Sequence, residues 1–132
     1  MLLTKELIDK INEVNENEVV RLTPDFIVWK EGSSYDVDIT NRQFDDLAKL
    51  LVNQEDQVYY LVDLSLAGRP TPEMVQIVEE RLEPFTNKFK HAAVYAGKNY
   101  LIFLGIKFYF IRFNFSSYSG HNTIKSALNS FK

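Results

Sequence analysis

Four places along the chain gather side chains able to do chemistry. Ser116-Ser117-Tyr118-Ser119-Gly120-His121 sets hydroxyls beside an imidazole, the raw material of a nucleophilic serine site. Such a site also needs an orienting acid and an oxyanion hole. No nucleophile-elbow motif is present, and no Asp or Glu occurs from Pro84 to Lys132, so the segment reads as a turn leading into a last helix. Asp36 and Asp38 fall on one face of an expected strand, the spacing at which two carboxylates share a divalent cation. A strand with one wet face gives the same alternation without any metal, and that is the simpler account. Gly68-Arg69-Pro70-Thr71 precedes an expected helix whose free amides suit an anion, with Arg69 to assist. It is too short for a phosphate-binding glycine loop and lacks the Lys-Ser/Thr pair that ends one. The fourth place, Tyr100 to Phe113, is notable for apolarity rather than for reactive groups.

On a helical wheel, Tyr100, Leu104, Phe108 and Ile111 form one face and Phe103, Ile106, Phe110 and Phe113 another, interrupted only by Lys107 and Arg112. A helix lying on a sheet needs a single apolar stripe, so a helix apolar on most faces needs a further cover. That cover is a second copy of the chain, the first helix, a lipid-like ligand or a membrane surface. Tyr100, Phe103, Leu104, Phe108, Tyr109 and Phe110 are the candidate contacts. Spanning a bilayer fails on length, since about fifteen residues at about 1.5 Å each fall short of a core of about 30 Å.

Composition narrows the classes. The chain has no cysteine, which removes disulfides and thiolate metal sites, and its only imidazoles, His91 and His121, stand thirty residues apart; neither a structural metal nor a cofactor is expected. The start, Met1-Leu2-Leu3-Thr4-Lys5-Glu6, lacks a secretory pattern, so a cytoplasmic protein with no transmembrane segment is expected. Residues 1–66 hold fourteen acids and six bases, whereas 84–132 hold seven bases, no acid and twelve of the eighteen aromatics. The basic, aromatic end is expected to pack beside the acidic half, in the same molecule or in a second one. With a net charge of −3 and aromatics better assigned to burial, no nucleic-acid partner is expected.

The elements that would position these groups follow from periodicity. Thr4 with Leu7, Ile8, Ile11 and Val14 predicts a capped amphipathic helix, part of an N-terminal helical extension over 1–17. Val19–Leu22 and Phe26–Lys30 around Thr23-Pro24-Asp25 predict a hairpin. Tyr35–Ile39 alternates and predicts a strand, with Thr40 capping the helix that buries Phe44, Leu47, Leu50 and Leu51. Val58–Val62, apolar on both faces, predicts the middle of the sheet. Thr71-Pro72-Glu73 predicts a helix start, with Met74, Ile77, Val78 and Leu82 inward and Pro84 as the stop. Lys90–Ala96 predicts a strand, 99–113 a helix, Phe115–Ser119 a short strand, and Asn122 the cap of a last helix burying Ile124, Ala127, Leu128 and Phe131. The fold expected is α/β: one domain over 1–132, with a mostly parallel mixed sheet of about five strands flanked by helices.

From about Val19 onward the order of elements and several strings resemble the SpoIIAA-like proteins, relatives of the STAS anti-sigma-factor antagonists and fold kin of CRAL-TRIO lipid-exchange domains. The strings are Leu61-Val62-Asp63-Leu64, Ala92-Ala93-Val94, the run from Phe103 to Asn114, and Ala127-Leu128 in a short amphipathic helix. The resemblance implies a regulatory loop after Leu64, where the antagonists carry a phosphorylatable serine at a helix start. Here that place holds Thr71-Pro72-Glu73-Met74: the serine and glycine are missing and only Thr71 could take a phosphate, though a helix cap explains its side chain better. The function expected is a non-catalytic interaction or regulatory module, not an enzyme, whose partner is another protein or, through the aromatic helix, a second copy. The alternative is a carrier or sensor of a small apolar or lipid-like ligand.

Overall fold

The computed structural model describes residues 5–33, 36–68, 71–99 and 115–131. Helix α1 (Lys5–Glu13) leads into β1 (Glu18–Thr23) through Asn17, whose positive φ of 66° suits asparagine. The Asn17 amide donates to Lys30 O at 2.8 Å and its side-chain Oδ1 accepts from Gly32 N at 3.0 Å. A Cβ on Gly32 would lie 2.6 Å from that Oδ1, so the glycine lets the two loops meet. β1 pairs antiparallel with β2 (Phe26–Lys30), as the hairpin pattern predicts. Arg21 fastens the turn, donating to Pro24 O at 2.7 Å and to Leu50 O at 2.5 Å.

β3 (Val58–Asp63), β4 (Phe89–Tyr95) and β5 (Tyr118–His121) then add in parallel, so the strands lie in space in chain order, β1-β2-β3-β4-β5. The continuous apolar run Val58–Val62 indeed forms the central strand. Between them run α2 (Val37–Leu51), α3 (Pro72–Leu82) and a 3-10 helix (Glu83–Lys88), and α4 (Ile124–Asn129) follows β5. The result is an α/β domain with a five-stranded mixed sheet flanked by helices, as the alternation of periods predicts.

Two cores form, one on each face, because alternate residues of each strand point to opposite sides. Ile27, Trp29, Tyr60 and Val94 pack with Phe44, Leu47 and Leu51 of α2 and Leu82 of α3. Phe26, Val28, Tyr59, Leu61 and Ala93 pack with Leu7 and Ile11 of α1 and with Ala127, Leu128 and Phe131 at the end of the described chain. Rings meet within both, Tyr60 stacking on Phe89 at 4.3 Å and Phe131 reaching Tyr59 at 4.9 Å. Burying each such large side chain contributes about 1.5–3 kcal/mol. Arg81 of α3 clamps α2, donating to Asn41 Oδ1 at 3.1 Å and to Asp45 Oδ1 at 2.7 Å while its guanidinium sits 5.6 Å from the Phe44 ring centre.

Of the strand expected over Tyr35–Ile39, the described part, Asp36–Ile39, forms no strand. Asp36 caps α2, its Oδ1 accepting from Asp38 N at 2.8 Å and Ile39 N at 3.3 Å, so 37–39 is the first helical turn. Thr40, expected as the cap, is buried inside that helix, with its amide on Asp36 O. The alternation of 35–39 is too short to separate a strand from the start of a helix whose buried positions run Thr40, Gln43, Phe44, Leu47 and Leu51. The last strand begins at Tyr118 rather than Phe115, and Thr123 rather than Asn122 caps the last helix, accepting from Ser126 N at 3.1 Å. α3 begins as expected, with Thr71 as cap and Pro72 at the first position, yet it buries only Leu82 and leaves Met74, Ile77 and Val78 half-covered. The helix expected over 99–113 falls, apart from Asn99, outside the described residues.

Candidate functional site

The margin where β5 lies against β4 brings together the two histidines and three serines. Parallel pairing sets Ala92 against Tyr118 and Tyr95 against His121, and strand alternation puts Ser119 and His121 on the face that α4 covers. His91, two residues before Ala93 on β4, shares that face and meets Phe131 edge-on at 5.8 Å. Its ring spans two serines, with Nδ1 2.6 Å from Ser117 Oγ and Nε2 2.8 Å from Ser119 Oγ. Ser119 Oγ is also 2.6 Å from His121 Nε2, and His121 Nδ1 is 2.7 Å from Ser126 Oγ on α4. Five side chains from two strands, the approach to β5 and a helix thus form one unbroken hydrogen-bonded row.

A proton count shows what the row can hold. Two neutral imidazoles and three hydroxyls carry five protons for four hydrogen bonds, enough for every link whether the donors run one way along the row, run the other way, or converge on Ser119 Oγ. Burial holds both imidazoles below their ordinary range, and for His121 the neighbouring His91 adds to it, so both rings are neutral at pH 7. Each then keeps one ring nitrogen as an acceptor. The arrangement ties α4 to the sheet margin and places two imidazole Nε2 atoms on a single oxygen. A serine triad would instead hold the far nitrogen of its histidine on a carboxylate; here serine hydroxyls take those positions.

The other expected residues are spread over the molecule. Thr71 Oγ1 accepts from Met74 N at 3.1 Å, the work of a helix cap. Arg69 and the aromatic set Tyr100, Phe103, Leu104, Phe108, Tyr109 and Phe110 lie outside the described residues. Asp36 and Asp38 do not pair as cation ligands on a strand face, because the first is a cap and the second a first-turn residue of α2. No group of three or more His, Cys, Asp or Glu among the described residues is placed to hold a metal ion. No helix among them is long and apolar enough to cross a membrane.

Sequence reasoning missed two buried carboxyl groups near the carboxyl ends of β2 and β3, Glu31 and Asp63. Glu31 is 7% exposed, accepts from Trp29 Nε1 at 3.1 Å, and is pushed by burial above the usual carboxylate range. Burial first, and the Glu31 charge second, raise Tyr60 well above an ordinary phenol. Asp63 Oδ1 accepts from Ser65 N at 3.0 Å and from Ser65 Oγ at 2.7 Å, while its carbonyl receives Glu31 N at 3.0 Å. These contacts join the strand ends to the loops that follow.

No family model, curated protein or solved structure matches the chain.

Proposed function

We propose that the chain is a non-catalytic, STAS-like interaction module that associates with a second copy of itself through the aromatic segment 99–113. The observation that carries this reading is that eleven of those fifteen residues are apolar or aromatic, more than one face of a helix on a sheet uses. The parallel α/β architecture is compatible with the STAS-like strings at Leu61–Leu64 and Ala92–Val94. The non-catalytic part is supported at the Ser119 cluster, where the far nitrogens of both imidazoles are engaged by Ser117 and Ser126 rather than by an acid. Phosphoregulation at Thr71 gains no support, since the hydroxyl already caps α3.

The test is sedimentation of the wild type and of a Phe103→Ser/Phe110→Ser variant across micromolar concentrations. A wild-type dimer that the variant converts to a folded monomer is the expected result. A monomeric wild type at high micromolar concentration overturns the reading, and lipid retained in native mass spectra of that monomer would transfer the segment to an apolar-ligand carrier.

A further inference from the structure

We propose that His91 and His121 form an open two-imidazole site for a divalent transition-metal ion, which enters where Ser119 Oγ now stands. Both Nε2 atoms point at that one position, from 2.8 Å and 2.6 Å, although the residues come from different strands. An ion there needs metal–nitrogen distances of about 2.0–2.1 Å, so each ring closes in by about 0.5–0.8 Å once the Ser119 side chain turns to another rotamer. The outer shell is already built. Metal-bound imidazoles hold their second N–H on a hydrogen-bond acceptor, and here Ser117 Oγ and Ser126 Oγ sit 2.6 Å and 2.7 Å from the two Nδ1 atoms. Once Ser119 Oγ leaves, both Nδ1–H groups can donate outward to these hydroxyls, which turns both Nε2 lone pairs inward.

Access and charge agree with this use. His91, Ser119 and His121 are half-buried while Ser117 and Ser126 are exposed, so the position lies near the surface. Burial favours the neutral form of both rings, the form that ligates. With two nitrogen ligands and no third His, Cys, Asp or Glu grouped with them among the described residues, water completes the coordination. The site favours the imidazole-preferring ions Cu²⁺, Ni²⁺ and Zn²⁺ over Mg²⁺ and Ca²⁺, which need oxygen ligands.

The experiment is calorimetric titration of tag-free full-length protein with Ni²⁺ and Zn²⁺, alongside imidazole NMR and a Mg²⁺ control. One ion per chain is expected, with both histidine rings shifting together and no response to Mg²⁺. A His91→Ala/His121→Ala variant, checked for folding by circular dichroism, should lose that ion. Ser119→Ala, which clears the position, should bind at least as tightly as the wild type. Ser117→Ala and Ser126→Ala should each weaken binding by roughly tenfold or more. The proposal is overturned if the wild type binds no ion, if the double-histidine variant binds equally, or if only one ring responds. Loss of binding in a folded Ser119→Ala variant would also overturn it, because the hydroxyl would then be the ligand rather than the occupant.

Discussion

Replacing Phe131 with alanine removes the side chain that holds α4 against three strands at once. The ring is 0% exposed and stands 5.6 Å from Phe26 on β2, 4.9 Å from Tyr59 on β3 and 5.8 Å from His91 on β4. A Phe→Ala change at a fully buried position costs about 3–5 kcal/mol, the lost transfer energy plus the cavity left behind. Its ring contacts, about 0.5–1.5 kcal/mol per pair, fall within that figure. For a chain of this size each kcal/mol moves the melting temperature by about 3–5 °C, so a fall of roughly 10–25 °C is expected. Phe131→Leu, which refills most of the volume, should recover more than half of the loss. Urea unfolding followed by circular dichroism and by the fluorescence of Trp29, the one tryptophan, measures both. The midpoint should drop with the slope unchanged. A loss under about 1 kcal/mol, or a leucine variant as damaged as the alanine variant, would refute the claim that this ring spans the core.

Two further expectations follow from polar groups. Glu31 has a raised folded-state value, so its neutral form favours the native state at low pH. That advantage is lost as pH climbs from the ordinary glutamate range through the raised value. Glu31→Gln should therefore gain relative to the wild type as pH rises across this window, read from paired urea curves; parallel curves would remove the premise. Asp36→Ala deletes the cap of α2 and should cost about 1 kcal/mol, whereas Asp36→Asn should cost little, which thermal unfolding of the two variants separates.

Much of the architecture was legible because it rests on long or repeated patterns. Val58–Asp63 announces a central strand by being apolar on both faces, and Thr71-Pro72-Glu73 announces a helix start by three independent preferences. Asp36 shows the limit, since five alternating residues fit one helical turn as well as a strand, and an aspartate two residues before open amides decides it by local hydrogen bonding. The candidate site was half visible. Alternation of Ser117, Ser119 and His121 places them on one side of a strand, but His91 joins them only through the register of β4 on β5. A single sequence carries no signal for that register. The thirty-position separation of the histidines makes them look unrelated, although a parallel crossover is what closes such a gap. Glu31 went unnoticed for a similar reason: a charged residue at a strand end looks solvated until the loops over it are placed.

The agreement between spatial strand order and chain order bears on how the domain opens and closes. Among the described residues each strand after the first pairs with its immediate predecessor, so none of the early ones must wait in the centre for a late one to arrive beside it. A sheet of this kind can loosen from a margin inward, and among the described residues β5 with α4 forms one marginal unit held by β4 and the Phe131 anchor. Amide exchange should rank accordingly, with β3 slowest and β5 released together with α4 at lower free energy than the whole. Ser119 and both imidazoles sit on that seam, so any ligand captured there would slow the exchange of one border of the sheet while leaving its centre unchanged.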